Sequence, residues 1–414
     1  MIDWSTGKIV LHSQGKGESC WKLVSAGDWA ALPDFQQVML RDPLALYGKL
    51  LPIIQGADLA IVNLETVLSD RGEPIAKDGP NLRGPKEAIH SLVQAGFDVA
   101  VLANNHARDY GSVALADTIT LCQEHGIRTV GAGFSLEEAW APVYLQVQGV
   151  RVAILAMAEH EEAALWPGME AGVAAWDLAQ AVEAIREAKQ HADIVIFQCH
   201  AGSEYNPLPA PRVCEGFYRL IDAGASLVIA HHPHVPLGLE EYHGGLIAYS
   251  LGNFVFDFHH REIAARVNEG YLLEVEFQGA EFVGGQIHPY RAVNGQYLEY
   301  LQGEAARDLL DHLERISRPL GNLDLLWLYW RAFCRELYRF RWEQSLAQFV
   351  EGLQSQDPTE RVAKAAKLRN AFRCEAHRDV ISTALNDLVE GGWQTLPSEV
   401  IAEVLELNPW LRQA

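Results

Sequence analysis

Hydrophobic and polar positions follow two alternating periods over roughly the first 300 residues. Short apolar runs of strand length, such as LAIV and VAVL, alternate with segments whose apolar residues recur at helical spacing. One helix is predicted to begin at Pro85 and to end at Gly96, and a strand follows over residues 98–102. This alternation of strands and helices predicts an α/β fold.

The pattern changes near residue 304, after which the segments have a helical period and no strand is predicted. We therefore predict an α/β domain over residues 1–303 and an all-helical module over residues 304–414. Aromatic residues and four arginines are concentrated between Trp327 and Trp342. This stretch is either an interaction surface or the aromatic core of a module packed on the main domain, and the second interpretation is favoured.

Polar side chains recur where the predicted strands of the first domain end. Taken alone, Asp28 is better explained as a turn residue that caps the next helix, and residues 104–106 could form an Asx-rich turn. Their recurrence after successive buried strands instead favours a shared site, because strand ends meet at one edge of a sheet. The predicted strand-end residues are Asp28, Glu65, Asn105, His106, His200, His232 and His234.

The histidine-rich segment HHPH follows the apolar run of residues 227–230. Pro233 fixes its own φ and is expected to hold His232 in an extended conformation, which argues against grouping of the histidines on a helix. His232 and His234 are therefore expected to project from a rigid turn. Their partners must come from other parts of the chain.

Carboxylate, amide and imidazole ligands in this mixture suit one or two ions of intermediate hardness, such as Mn, Fe or Zn. Two metals bridged by a carboxylate lower the pKa of a shared water and promote attack on a phosphorus or carbonyl centre. The strand-end residues therefore predict hydrolase chemistry.

Composition narrows the choice of partners and of compartment. The chain has 414 residues and a formal net charge of −21, which argues against a nucleic-acid backbone or an anionic membrane surface as the main partner. Its six cysteines show no CxxC spacing, as expected for reduced thiols in a cytoplasm. No signal peptide and no integral membrane span are predicted, so we expect a cytoplasmic protein.

Five motifs occur in the order NLE, LANNHxxDxG, HxGxEY, HHPH and YSLGNFVFD. Together they resemble the motifs of the CapA family of poly-γ-glutamate (capsule) biosynthesis proteins, whose fold is similar to that of calcineurin-like metallophosphoesterases. The resemblance covers roughly residues 20–300 and leaves the helical tail uncovered. It implies a four-layer α/β/β/α sandwich and a small-molecule or glutamate-polymer substrate.

The resemblance also implies a role for each residue. Glu65 is expected to bridge two metals, and His106 to act as an acid or to steady a phosphate oxygen. Asp109 and Arg83 are expected to complete the catalytic set as contacts to the substrate or to the ligands, with Arg83 clamping an anion. The remaining expected metal ligands are Asp28, Asn105, His200, His232 and His234. Residues expected around these ligands are Asn63, Asn104, Glu204, His231 and Asn253.

Three positions depart from the family pattern. Ala30 stands where metallophosphoesterases usually have the histidine of a DxH motif, so one metal site is expected to lack an imidazole. The bridging carboxylate is Glu65 rather than an aspartate, and Ala201 stands where the family favours tryptophan. The sequence thus predicts a metal-dependent hydrolase of phosphoester or γ-glutamyl-type amide bonds. The alternative is a non-catalytic accessory subunit of polymer synthesis or export that docks through its helical module.

Overall fold

The structure, a computed structural model, describes residues 2–10, 19–165, 168–256 and 265–412. The strands are β1 (Ile2–Asp3), β2 (Lys8–Val10), β3 (Cys20–Trp29), β4 (Leu59–Leu64), β5 (Val67–Leu68), β6 (Arg83–Gly84), β7 (Val99–Val101), β8 (Arg128–Val130), β9 (Ala132–Gly133), β10 (Val143–Val147), β11 (Val150–Ala158), β12 (Gly172–Val173), β13 (Ile194–His200), β14 (Leu227–His231), β15 (Leu239–Tyr242), β16 (Gly245–Ala248), β17 (Asn253–Val255), β18 (Glu269–Gln278), β19 (Glu281–Val293) and β20 (Tyr297–Tyr300). The α-helices are α1 (Pro33–Arg41), α2 (Leu51–Gln55), α3 (Ile89–Ala95), α4 (Gly111–Glu124), α5 (Leu136–Trp140), α6 (Leu178–His191), α7 (Pro211–Ala223), α8 (Gly303–Ser317), α9 (Leu323–Leu337), α10 (Glu343–Gly352), α11 (Pro358–Arg373), α12 (Glu375–Val389) and α13 (Ser398–Leu407).

The larger sheet has the strand order β1-β2-β19-β18-β3-β4-β7-β8, with β17 paired to β3 and β20 paired to β19. Strands β3, β4, β7 and β8 run parallel to one another, and β18 and β19 pair antiparallel. The parallel strands are apolar and buried along most of their length, as expected for strands covered on both faces. Their carboxyl ends therefore meet at one edge of the sheet.

A second sheet has the strand order β10-β11-β13-β14-β16-β15, and its central strands β11, β13, β14 and β16 are also parallel. Helices α6 and α7 pack against β11, β13 and β14. Side chains from both sheets belong to one continuous hydrophobic core. The buried carboxyl ends of β13 and β14 bring histidines towards the carboxylates that follow the strands of the first sheet.

From Gly303 onward the described chain is helical. Helix α9 packs against α12, α13 and α7. Trp330, Phe333 and Trp342 are buried, as expected for an aromatic core, whereas Trp327 and Phe340 are exposed. The predicted α/β sandwich with a C-terminal helical region is therefore confirmed, while the domain boundary after residue 303 stays a prediction.

Two further features bear on the sequence expectations. Within the described ranges, no helix combines the length and the apolar character that a membrane crossing requires. All six cysteines are free thiols, and only Cys20 is exposed. Asp257, the last residue of the YSLGNFVFD motif, lies outside the described residues.

Candidate metal centre

Asp28 lies at the end of β3, next to an irregularity in the strand. The pairing of β3 with β4 shifts register between Ala26 and Asp28, as in a β-bulge. A Cβ on Gly27 would lie 1.9 Å from the carbonyl oxygen of Gly252, so only glycine allows the chain to approach this closely. The bulge and the contact place the Asp28 carboxylate in a fully buried position.

Asn63 and Glu65 bring the end of β4 against Asp28. The Asn63 Nδ2 group donates to Asp28 Oδ1 at 2.8 Å and lies 3.4 Å from Glu65 Oε2. Both carboxylates are fully buried. Two like charges held together away from water are costly unless a cation or a proton is shared between them.

The second sheet supplies imidazoles to the same place. His200 ends β13, and its Nε2 atom lies 3.0 Å from Asn105 Oδ1 and 3.5 Å from Glu65 Oε1. His232 follows β14, and its Nδ1 atom lies 3.1 Å from His200 Nε2. The structure thus brings Asn105, His200 and His232 close to the buried carboxylates.

The HHPH segment differs from the expected conformation. His232 has a φ of 99° and His234 a φ of 57°, so the prediction of an extended His232 is wrong. Pro233 restricts the residue before it, yet the surrounding contacts hold His232 in the left-handed region that non-glycine residues seldom adopt. Strain of this kind is concentrated at functional sites, and here it turns both imidazoles inward.

Asn253 fixes which nitrogen of His234 faces the carboxylates. The Asn253 Nδ2 group donates to the carbonyl oxygens of His234 and Val267 at 3.1 and 2.8 Å, so its Oδ1 atom is the acceptor for His234 Nδ1 at 2.9 Å. His234 Nε2 then points to Glu65 Oε1, which lies 3.7 Å away. A neighbour that fixes the tautomer in this way is typical of metal-binding histidines.

Two groups of potential ligands share one carboxylate. Asp28, Glu65 and His200 form one group, and Glu65, His232 and His234 form the other, with the ligand atoms of each group within 4.8 Å of one another. In the described part of the chain, Asp28 Oδ2 and Glu65 Oε1 have no hydrogen-bond partner. Buried carboxylate oxygens without donors, surrounded by imidazole nitrogens, fit the ligand set of one or two metal ions.

The pKa values show how strongly the two carboxylates interact. Burial raises the pKa of Glu65 well above its usual value, and the charge of Asp28 raises it further. Burial also acts to raise the pKa of Asp28, but hydrogen bonds and charges from His231 and His234 lower it well below the usual range. Burial opposes protonation of His234, yet Glu65 and Asp28 raise its pKa to about 10. A proton held among these groups therefore occupies the place that a cation would take.

The other two imidazoles have the opposite tendency. Burial, followed by the charge of His232, lowers the pKa of His200 well below its usual value. Burial lowers the pKa of His232 to about 4. Neutral imidazoles are the form that binds metal ions.

His231 lies beside Asp28. The usual DxH histidine is absent there, because Ala30 stands at its position. Its Nδ1 atom is 3.3 Å from Asp28 Oδ1, and its Nε2 atom is 3.0 Å from Gln198 Oε1. Ala30 itself is fully buried and donates its backbone N–H to the carbonyl oxygen of Val255. His231 thus supports Asp28 from the neighbouring sheet.

A second polar cluster follows β7. His106 Nδ1 donates to Asp109 Oδ2 at 2.6 Å, and Lys77 Nζ donates to Asp109 Oδ1 at 2.7 Å. Burial, aided by the charge of Lys77, lowers the pKa of His106 although Asp109 opposes it. Lys77 is buried and was not among the predicted site residues. It belongs to an irregular segment between β5 and β6 that has no periodic pattern to reveal it.

Two predicted residues have other surroundings. The guanidinium of Arg83 lies over the ring of Tyr110 at 4.0 Å, its Nη1 group donates to the carbonyl oxygen of Gly72 at 3.4 Å, and its side chain is exposed. The structure therefore does not bring Arg83 to the cluster, and Lys77 is the cation found there. Asn104 donates to the carbonyl oxygen of Leu64 at 2.9 Å and so holds the loop in place.

Comparison with known proteins places these motifs in a family. Residues 22–258 match the bacterial capsule synthesis protein PGA_cap family. The PGA biosynthesis protein CapA of Bacillus subtilis (strain 168) is 37% identical over 209 residues, which cover 50% of this chain and 55% of that protein. A Mycobacterium tuberculosis (strain H37Rv) protein named "Probable polyglutamine synthesis accessory protein" is 28% identical over 293 residues, covering 66% of this chain and 77% of that protein.

The matches have limited extent. This chain spans about half the length of the Bacillus relatives, 55% of one and 52% of the other. Among solved structures, a 5′-nucleotidase precursor from Thermus thermophilus is 15% identical, with a TM-score of 0.41 and coverage of 73% of this chain and 59% of that chain. A similarity of that size carries no inference about activity. Because the family match covers more than half of the 414 residues and contains all five motifs, the chain belongs to the bacterial capsule synthesis protein PGA_cap family.

Proposed function

We propose that this protein is a metal-dependent hydrolase that cleaves a phosphoester or a γ-glutamyl-type amide bond. The observation that supports the proposal is the pair of ligand groups sharing Glu65, with buried carboxylate oxygens that lack hydrogen-bond donors. A purely structural role would leave Asp28 Oδ2 and Glu65 Oε1 buried without hydrogen-bond donors, at a cost of about 1–3 kcal/mol each. A bound metal ion would contact these oxygen atoms and remove that cost, which favours metal binding.

The proposed ligands are Asp28, Glu65, Asn105, His200, His232 and His234, and Glu65 belongs to both groups. Bound Mn, Fe or Zn ions supply Lewis acidity and an activated water for hydrolysis. His106 lines the adjoining cavity, and its Nδ1–H is held by Asp109, so its Nε2 atom is left to accept or return a proton at the substrate. Asp109 and Lys77 act as positioning residues for that ring.

The relatives indicate the substrate class. The Bacillus proteins are named for PGA or capsule biosynthesis, which favours a γ-glutamyl compound over an unrelated phosphoester. A polyanion would meet an acidic protein with a net charge of −21, so its binding depends on cations near the site. The cytoplasmic location expected from the cysteines stays a prediction.

Elemental analysis tests the proposal. His232→Asn removes the imidazole while keeping a residue that tolerates a positive φ. His243→Asn is a matched control, because His243 also has a positive φ, of 47°, but is 66% exposed. We expect the wild type and the control to contain metal and to hydrolyse a substrate in a screen of phosphoesters and γ-glutamyl peptides. We expect the His232 variant to lose both properties, and a folded wild type without metal affinity would refute the proposal.

A non-catalytic accessory role is the second candidate. It is favoured by the name of the Mycobacterium relative and by exposed apolar side chains on the module, including Phe372 and Val389. In that case a partner protein would bind the module, and a metal-ligand variant would retain function in a polymer-synthesis assay.

A further inference from the structure

A small cavity lies between the candidate metal centre and the helical module. Its volume is about 100 Å³. The lining on the α/β side includes Lys77, His106, Glu204 and His232, and the lining on the module side is Arg341, Asn370 and His377. The family match ends at residue 258, so the module residues are outside it. The cavity thus has one wall that the family motifs do not provide.

Arg341 lies on a segment where the helical geometry changes. The segment Tyr338–Trp342 is a π-helical turn between α9 and α10. Such turns interrupt the normal stacking of side chains and occur frequently at functional sites. Here Trp342 is buried and packs edge-on against His377 at 5.1 Å between ring centroids. The guanidinium of Arg341 lies next to it and remains partly exposed.

Asn370 offers a hydrogen-bond acceptor without a donor. Its side chain is only 3% exposed, and its Oδ1 atom has no hydrogen-bond partner among the described residues. The Nδ2 atom of the same amide lies 3.4 Å from His377 Nδ1, so the amide nitrogen has a partner and the oxygen does not. A buried acceptor that lines a cavity and lacks a partner is explained by a ligand that donates to it.

The module also holds the segment that carries Lys77. Arg369 Nη2 donates to the carbonyl oxygen of Ala76 at 3.1 Å, and Arg341 Nη2 donates to Asp78 Oδ2 at 3.3 Å. These contacts flank Lys77 on both sides. Two arginines of the helical module therefore help to position Lys77.

The cavity has room for one small chemical group. A protein cavity of about 150 Å³ accepts one benzene molecule, so a space of about 100 Å³ accommodates a single phosphate or carboxylate group with a short attachment. Lys77, which is paired with Asp109, and Arg341, which is paired with Asp78, supply positive charge to the lining, to which Glu161 and Glu204 add carboxyl groups. Arginine in particular binds planar or tetrahedral oxyanions through paired N–H groups.

We propose that the helical module forms the substrate-binding wall of the hydrolase, with Arg341 binding a terminal oxyanion and Asn370 accepting from a neighbouring N–H or O–H of the same molecule. This inference rests on the proposed hydrolase function. It assigns the substrate class as a small oxyanionic molecule or the terminus of a chain.

Isothermal titration of the full-length, manganese-loaded protein tests the proposal. One titration uses inorganic phosphate and the other uses L-glutamate, so that the two oxyanion sources are distinguished. We expect the wild type to bind at least one of them and Arg341→Met to weaken that binding about 10- to 100-fold, the loss expected for a hydrogen bond between charged groups. Asn370→Ala should weaken binding about tenfold or less, because it removes a neutral acceptor.

Arg339→Met is the matched control, since Arg339 lies on the same π-helical turn but is exposed. It removes the same charge and should leave anion binding unchanged. Metal content and circular dichroism are measured for every variant, and Arg341→Lys provides a milder change if Arg341→Met fails to fold.

The outcomes separate the two proposals. A wild type that takes up no metal refutes the hydrolase proposal. A metal-loaded wild type that binds neither anion, or equal effects of the Arg339 and Arg341 substitutions, refutes the role of the module and leaves the metal centre standing.

Discussion

Replacing Glu65 by glutamine should stabilise the metal-free protein while abolishing metal uptake. Glu65 is fully buried, its Oε1 atom has no hydrogen-bond partner among the described residues, and Asp28 lies beside it. Burial and the charge of Asp28 raise the pKa of Glu65 well above the usual 4.5. The side chain is therefore a source of strain that only a cation or a proton relieves.

The size of the effect follows from the group that is left unsatisfied. A buried polar atom without a partner costs about 1–3 kcal/mol, and glutamine removes the charge while keeping the shape. For a chain of 414 residues we expect the Tm of the metal-free Glu65→Gln variant to rise by about 1–3 °C. Asp28→Asn should do the opposite and lose about 1–3 kcal/mol, because the charges of His231 and His234 lower the pKa of Asp28.

The stability gained by Glu65→Gln should increase with pH. A carboxyl group whose pKa is raised by folding stabilises the folded state below its unfolded pKa, and this contribution is lost as the pH rises through the folded pKa. The advantage of Glu65→Gln should thus be absent below about pH 4.5 and complete once the pH exceeds the raised pKa of Glu65. Asp28, with a lowered pKa, contributes stability that is lost only as the pH falls.

Differential scanning calorimetry of chelator-treated protein, together with elemental analysis of the reloaded protein, measures both effects. Glu124→Gln, at an exposed position near the end of α4, is the control and should change neither. The reasoning is refuted if the metal-free Glu65→Gln variant is less stable than the wild type at neutral pH, or if it still binds metal.

Three other predictions follow from the same geometry. Metal affinity should rise with pH and metal binding should release protons, because the pKa of His234 is raised to about 10; titrations in buffers of different ionisation enthalpy measure this, and proton uptake would contradict it. Lys77→Met should raise the pKa of His106, whose charge Lys77 opposes, and lower stability by about 3–5 kcal/mol; a histidine NMR titration and denaturant unfolding test it, and an unchanged titration midpoint would show that Lys77 does not act on the ring. Gly27→Ala should destabilise the fold by about 1–3 kcal/mol or more, because the new Cβ would lie 1.9 Å from the Gly252 carbonyl oxygen; wild-type stability by calorimetry would disprove the close contact.

The sequence predicted the parts of the site that follow periodic strands. Asp28, Glu65, Asn105 and His200 each come after a buried apolar run, and parallel strands with helical crossovers bring such ends together. The hydrophobic period and the rules of sheet connection are therefore enough to group them. The separation into α/β and helical parts follows from the same change in period.

Other parts could not be read from local pattern. Lys77 lies in an irregular segment, and Arg341 lies on the π-helical turn between α9 and α10, far in sequence from the strands that it meets at the cavity. Arg83 was the cation expected near the site, but its side chain stacks on Tyr110 instead. His232 adopts a positive φ because of its tertiary contacts. The conformational preference of a residue that precedes a proline is local and takes no account of such contacts.

The order of residues along the chain has a consequence for how the protein is made. The proposed ligands are complete at His234, whereas the first module residue of the cavity wall, Arg341, is synthesised roughly 100 residues later. Chains fold from the amino terminus as they leave the ribosome, at about 5–20 residues per second. The ligand set can therefore meet metal ions for several seconds before the module residues of the cavity wall have been synthesised.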